Sequence, residues 1–214
     1  KAMLSGRIGY TGMNRRGYMR NGMAPNNSQG KSGTANFLDG GVKGSLNADM
    51  GRGHAFSIGA GYELRAPMAN TAFISPEISN DFVTNLKNER IFSSEFSYLY
   101  RNAWLSANVS GYYSRLENVT EWQNFYNDDE NSFTYVSMTG LKKEYYGVEV
   151  GAKIKLTSWL DLKTLGAMSE AKNINNVNAV YMLSKSAEVY QDKAYVMNMR
   201  ESGTPLTVGS IGLD

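Results

Sequence analysis

The chain has 214 residues, with 22 Lys and Arg against 20 Asp and Glu spread along its length, so no charge bias points to nucleic acid. It has no cysteine, which removes a disulfide framework and any thiolate metal site. With 22 glycines, 14 tyrosines and 4 prolines the composition favours an all-β chain, because aromatics suit a pleated surface and glycine suits crowded or curved strands. No run approaches the roughly 18 apolar residues of a membrane helix, a criterion that leaves a barrel untouched because barrel strands alternate.

Period-two alternation predicts seven strands and the opening of an eighth, over 2–13, 35–49, 54–65, 90–101, 103–116, 140–156 and 159–171, then from 204. Lys1 leads at once into strand-like sequence, so no leader peptide is read there. The intervening connections alternate in length: long at 14–34, 66–89, 117–139 and 172–203, short at 50–53, 101–103 and 157–158. A soluble sandwich has no reason to keep every second connection short, whereas an outer-membrane barrel has brief periplasmic turns and extended outer loops. Met50-Gly51-Arg52-Gly53, Arg101-Asn102-Ala103 and Thr157-Ser158 are therefore read as periplasmic turns.

Each strand has two distinct faces. One is apolar or small: Leu4, Ile8 and Tyr10; Leu38, Val42 and Leu46; Phe56, Ile58, Tyr62 and Leu64; Phe92, Phe96, Tyr98 and Tyr100; Leu105, Val109 and Tyr113; Tyr146, Val148, Val150 and Ile154; Leu160, Leu162 and Met168. The opposite parity carries Arg7, Asp39, Lys43, Glu63, Glu95, Glu149, Lys153, Lys155, Asp161 and Lys163. In a water-filled barrel the charged set faces the lumen and the apolar set faces lipid, where a charge near the midplane costs about 2–4 kcal/mol. Two residues of lumenal parity, Ile91 and Leu99, are apolar and are expected to pack against something inside. Aromatic placement selects the barrel over its inverse: Trp104 and Trp159 flank short turns, and Tyr62, Tyr98, Tyr100, Tyr112 and Tyr113 are assigned to the long-loop ends as a second girdle.

Several constellations carry little chemistry. Gly30-Lys31-Ser32 ends like a phosphate-binding loop, but Pro25 stands where that motif needs glycine. His54 is the single histidine and follows a turn glycine, so neither a metal site nor a serine–histidine–carboxylate set is assembled around it. Asn127-Asp128-Asp129-Glu130-Asn131 lacks the spacing and glycine of a calcium loop and reads as a solvated tip. The preceding Trp122-Gln123-Asn124-Phe125-Tyr126 mixes aromatic and amide side chains, suited either to ligand capture or to girdle packing. No catalytic residues, metal ligands or cofactors are expected.

Three runs, Gly61-Tyr62-Glu63-Leu64-Arg65-Ala66-Pro67, Ile74-Ser75-Pro76-Glu77-Ile78-Ser79-Asn80-Asp81 and Leu86-Lys87-Asn88-Glu89-Arg90-Ile91, resemble the late barrel strands of TonB-dependent receptors. Gly111-Tyr112-Tyr113, Thr120-Glu121, Met138-Thr139-Gly140 and Tyr146-Gly147-Val148-Glu149 are similar to the next hairpin of that family, and Ser202-Gly203-Thr204-Pro205 to its approach to a later strand. The resemblance implies a partial β-barrel domain over 1–214, seven to eight antiparallel strands of a parent barrel of about 22 strands and roughly 600 residues. The signal peptide, plug and closing strands of such a receptor would lie outside it. It further implies localisation to the bacterial outer membrane, in contact with lipid and lipopolysaccharide, and no enzymatic activity. Uptake of a scarce nutrient would be driven by a TonB-type energy-transducing protein acting on the plug, with a surface lipoprotein as a further partner. Ligand contacts would fall on the outer loops, at Trp122, Gln123, Phe125, Tyr126, Asn80 and Asp81. A passive porin shares every barrel feature. A surface-exposed β-sandwich binding module would instead shield Leu105, Val109, Val148 and Ile154 inside.

Overall fold

A computed structural model describes residues 1–185, 188–203 and 205–214 and is all-β and antiparallel. The strands are β1 (Ala2–Met13), β2 (Arg16–Gly17), β3 (Gly30–Lys31), β4 (Ala35–Gly51), β5 (His54–Arg65), β6 (Glu89–Arg101), β7 (Leu105–Asn127), β8 (Ser132–Lys155), β9 (Asp161–Asn173), β10 (Val177–Leu183), β11 (Val189–Ala194) and β12 (Thr207–Leu213). A meander runs β1-β4-β5-β6-β7-β8-β9-β12, each strand pairing with the next. It forms an open wall, not a closed barrel. All eight expected strands are present; the expected start of the last, Thr204, lies outside the described residues, as do Ser186 and Ala187 of the fourth long connection.

Side chains close the short turns locally. Asp49 Oδ1 accepts the Gly51 amide at 2.9 Å, and Gly51 and Gly53 take φ of 74° and 85°, which glycine adopts without steric cost. A Cβ at Gly53 would stand 1.7 Å from the Arg101 carbonyl oxygen, so that turn is closed to any other residue. Asn102 Oδ1 caps the next turn, accepting from the amides of Trp104 and Leu105 at 2.9 and 2.7 Å, and Thr157 Oγ1 accepts the Trp159 amide in the third.

Opposed residues in the ladder confirm the parity of the two faces. Val42, Tyr62 and Phe92 stand in one row, and Ala107 joins Tyr100 to Ala152 in another. Among the described residues the apolar face lies open: Leu4 is 79% exposed, Ile8 81% and Met168 68%. Val109 and Val148 are exposed and Leu105 and Ile154 half-buried, which is not the shielded interior that a sandwich requires. Cavities of about 500 and 380 Å³ are lined mainly by residues of the polar face, Ser5, Lys43, Ser93 and Glu95 in one, Arg7, Glu63 and Ile91 in the other, and one of about 420 Å³ by Leu4, Leu46 and Ile58 of the apolar face.

Four features differ from the sequence expectation. The segment 117–139 is not a loop: β7 and β8 continue through it as a hairpin with its turn at 128–131, because its alternating aromatic and β-branched residues favour a paired ladder. The segment 172–203 contains β10 and β11, with β10 pairing to the distal part of β8. Tyr98 and Tyr100 lie at the short-turn end, opposite Phe56 and His54, since β6 runs from a long connection toward a short one; Tyr98 Oη stands 2.6 Å from His54 Nδ1. Tyr112 is on the polar face, opposite Glu95 and Gly147. The short-turn band is thus Phe56, Tyr98, Tyr100, Trp104 and Trp159, and the other is Tyr62, Phe92, Tyr113 and Tyr146. Beyond that second band the apolar face ends in charge: Phe92 shares its row with Arg115, Glu144 and Lys172, and Arg90 pairs with Glu117.

The hydrophobic core sits at the long-connection end alone. Ile74, Ile78, Val83, Val180 and Met182 form one cluster, Val119, Met138, Leu141, Val177 and Ala179 a second, and Met13, Ala72 and Phe73 a third. Among the described residues no hydrophobic side chain between 38 and 64 or between 92 and 113 is buried. The long connections therefore condense into a cap on a wall that has no interior of its own.

Candidate functional site

Two surfaces are available for chemistry, the polar face of the wall and the cap above it. On the wall, Arg7 reaches across β4 to Glu63 at 2.8 Å and contacts Asp39 at 3.5 Å, and Thr11 Oγ1 donates to Asp39 at 2.7 Å. A guanidinium shared by two carboxylates fixes a polar row across β1, β4 and β5. Lys153 pairs with Asp161 at 2.8 Å, and Lys163 with Asp214. Lys43 and Glu95 line the larger cavity with Ser5, Ser45, Ser93, Ser114 and Tyr112, and Glu149 stands exposed on this face opposite Ser110 and Ala167. The ladder places Arg7, Asp39, Lys43, Glu63, Glu95, Glu149, Lys153, Lys155, Asp161 and Lys163 on one face of the sheet. Ion pairs hold Arg7, Asp39, Glu63, Lys153, Asp161 and Lys163 on that face.

In the cap, Arg15 ties the segment after β1 to the segment after β5. Its guanidinium donates to the carbonyls of Ser28 at 2.9 Å, Pro76 at 2.8 Å and Glu77 at 2.8 Å, and to Asn80 Oδ1 at 2.5 Å. Burial pulls its pKa below the ordinary arginine value, yet a guanidinium stays charged. Asn80 is spent on the same junction, with its amide donating to Asn27 O at 2.8 Å and Nδ2 to Gln29 O at 3.3 Å. Asp81 is exposed beside it. Lys143, almost wholly buried, is held between Glu121 and Glu201 and locks the hairpin to the chain that precedes β12.

The hairpin splits the remaining expected contacts between two faces. Trp122 and Tyr126 share one, opposite Ser137 and Phe133, while Gln123 and Phe125 lie on the other. Trp122 stacks on Tyr135 with ring centroids 6.1 Å apart, and its buried Nε1 has no acceptor among the described residues. Its strand packs against the segment after β5, where Ser137 Oγ donates to Ile74 O at 2.9 Å. Phe125 and Tyr126 are about half exposed near the tip. The fold thus brings the hairpin beside the connection that carries Asn80 and Asp81, but does not gather all six residues into one concavity.

A concavity that sequence reading did not mark lies between those elements. It measures about 290 Å³ and is lined by Thr84, Asn85, Lys87, Asn118, Thr139, Gly140, Asn175, Asn176, Asn178 and Gln191, with Val177 and Val180 as apolar contacts. The signal was the run Asn173-Ile174-Asn175-Asn176-Val177-Asn178, whose density of amides has no role in a membrane strand. Among the described residues no group of three or more His, Asp or Glu side chains is placed to hold a metal ion.

No protein-family model matches the sequence, and comparison with curated proteins gives no match. Among solved structures, that of "Copper transporter OprC" matches with a TM-score of 0.58 at 18% sequence identity, over 85% of this chain and 30% of that one. The chain therefore spans less than a third of that protein's length and shares its antiparallel β-architecture.

Proposed function

We propose that this chain forms part of the wall and outer cap of an outer-membrane transporter, which takes up a scarce nutrient through a barrel closed by a plug and opened with energy from a TonB-type protein. The observation that carries this reading is the opposition of the two wall faces: an apolar surface left exposed among the described residues, flanked by two aromatic bands, backed by a surface of serines and ion-paired charges. In water such a wall would expose a contiguous apolar patch far larger than soluble monomers tolerate, whereas in a bilayer each face meets its matching medium. The antiparallel fold shared with "Copper transporter OprC" is in keeping with this reading.

The reading is tested on the full-length protein in cells. Asp129→Cys, at the hairpin tip, should react with a membrane-impermeant maleimide on intact cells, and Ser158→Cys, in a short turn, should react only after the outer membrane is opened. Labelling in the opposite sense would reverse the topology, and recovery of the protein in the soluble fraction would end the membrane reading. Active uptake should stop when the proton-motive force is collapsed. Open-channel conductance in planar bilayers would favour a passive porin instead.

A further inference from the structure

The amide-lined concavity of the cap has properties that the rest of the molecule lacks. Three of its lining residues hold left-handed backbone, Asn85 at φ 60°, Asn118 at φ 60° and Gly140 at φ 79°. Asn118 and Gly140 mark the two register shifts at which β7 and β8 each carry extra residues, so the hairpin's irregularity falls at the mouth of this cavity. Such conformations cost about 1–3 kcal/mol at a non-glycine residue and persist only where the surroundings fix them. Here the surroundings do so: Asn118 Nδ2 donates to Asn88 O at 3.1 Å, Thr139 Oγ1 to Thr84 O at 3.3 Å, and Asn175 Nδ2 to Gly140 O at 3.0 Å. Asn175 Oδ1 accepts the Lys142 amide at 2.7 Å and Asn176 Oδ1 the Met197 amide at 2.9 Å.

A second set of side chains in the same cavity is not spent on the fold. Asn85, Asn178, Gln191 and Lys87 are exposed, and among the described residues none has a hydrogen bond to another part of the chain through its side chain. The cavity therefore has a rigid, internally bonded rim and a free polar lining. From these observations we infer that it is a binding site for a neutral oligosaccharide.

Each amide presents a donor and an acceptor in one plane, matching vicinal hydroxyls that donate and accept in turn. No carboxylate lines the cavity, so it offers a cation no compensating negative charge, and its single ammonium, Lys87, is too little to select a polyanion. Val177 and Val180 offer small apolar surfaces suited to the C–H faces of a sugar ring. The volume lies at the lower end of ligand pockets, about 300 Å³. A purely apolar nutrient would leave the amides without partners, a loss of roughly 1–3 kcal/mol for each one desolvated.

This assignment rests on the transporter reading, because it takes the cap to face the medium. The test uses the full-length protein, purified in detergent, against immobilised neutral oligosaccharides (glucan, mannan, galactan and N-acetylglucosamine oligomers), with a tetrapeptide mixture in parallel. The wild type should be retained by at least one of the sugars, and Asn178→Ala combined with Gln191→Ala should weaken that retention about tenfold or more at unchanged membrane abundance. Asn85→Gly, which keeps the left-handed backbone and removes the amide, should weaken it in the same direction. Sugar binding that survives all three substitutions overturns the site; retention by peptides alone overturns the ligand class; no retention by any sugar overturns the inference altogether. The impermeant-label experiment at Asp129 and Ser158 reports on the transporter reading separately, so a correctly oriented protein that ignores sugars counts against this inference only.

Discussion

Arg15 shows how much of the cap depends on a single side chain. Its forked guanidinium meets three carbonyls and one amide oxygen, one from Ser28 in its own segment and three from Pro76, Glu77 and Asn80 in the segment after β5. A lysine can satisfy only part of that set because its ammonium is a point donor on a flexible stem. Arg15→Lys is expected to loosen the cap by about 1–3 kcal/mol, the cost of leaving partly buried carbonyls unpaired. Limited proteolysis on intact cells should then cut within 66–88 faster than in wild type, with membrane abundance unchanged; equal cleavage rates would show that the clamp is dispensable. No sequence rule marks Arg15 for this role, since its partners are backbone atoms brought near by folding. That Arg7, Asp39, Lys43, Glu63, Glu95, Glu149 and Lys153 share one face was legible because alternation fixes a face before any partner is known.

At the scale of elements, the existence and order of the eight wall strands were readable, whereas their lengths and the strands β2, β3, β10 and β11 within the long connections were not. Trp122 to Tyr126 looked like a binding loop because aromatics and amides occur together there, yet the pairing of Trp122 with Ser137 and of Gln123 with Val136 turns the segment into a ladder that sends alternate side chains opposite ways. The breaks at Asn118 and Gly140 escaped for a related reason: a bulge is a mismatch between two strands and has no period of its own. Within the wall the alternation makes a sharp prediction for β8. Val150→Arg places a cation on the exposed apolar face and should impair membrane insertion by about 2–4 kcal/mol. Lys153→Gln, on the polar face, should leave assembly nearly intact while releasing Asp161 from its pair. Heat-resistant migration on cold gels reports both, and equal tolerance at the two positions would favour a soluble architecture.

For the whole molecule, topology followed from the alternation of short and long connections, a property of chain length alone. The cap did not, because its contacts join residues far apart in sequence, as Ser137 to Ile74 or Asn80 to Asn27. The confinement of apolar clusters to that one end has a calorimetric consequence. The heat capacity gained on unfolding comes from apolar surface passing into water. On the proposed membrane reading the wall's apolar face touches hydrocarbon when folded and stays in hydrocarbon if the unfolded chain remains bound to detergent, so only the cap contributes the usual hydration signal. Scanning calorimetry of the full-length protein in detergent should give an increment well below the about 12–15 cal/mol/K per residue of water-soluble domains. Stability should then vary almost linearly with temperature and show no maximum near room temperature. A normal increment would mean that the wall hides its apolar side against protein. With a small one, chilling has little power to unfold this molecule: lipid holds most of it together, and cooling water weakens only the attraction that water itself supplies.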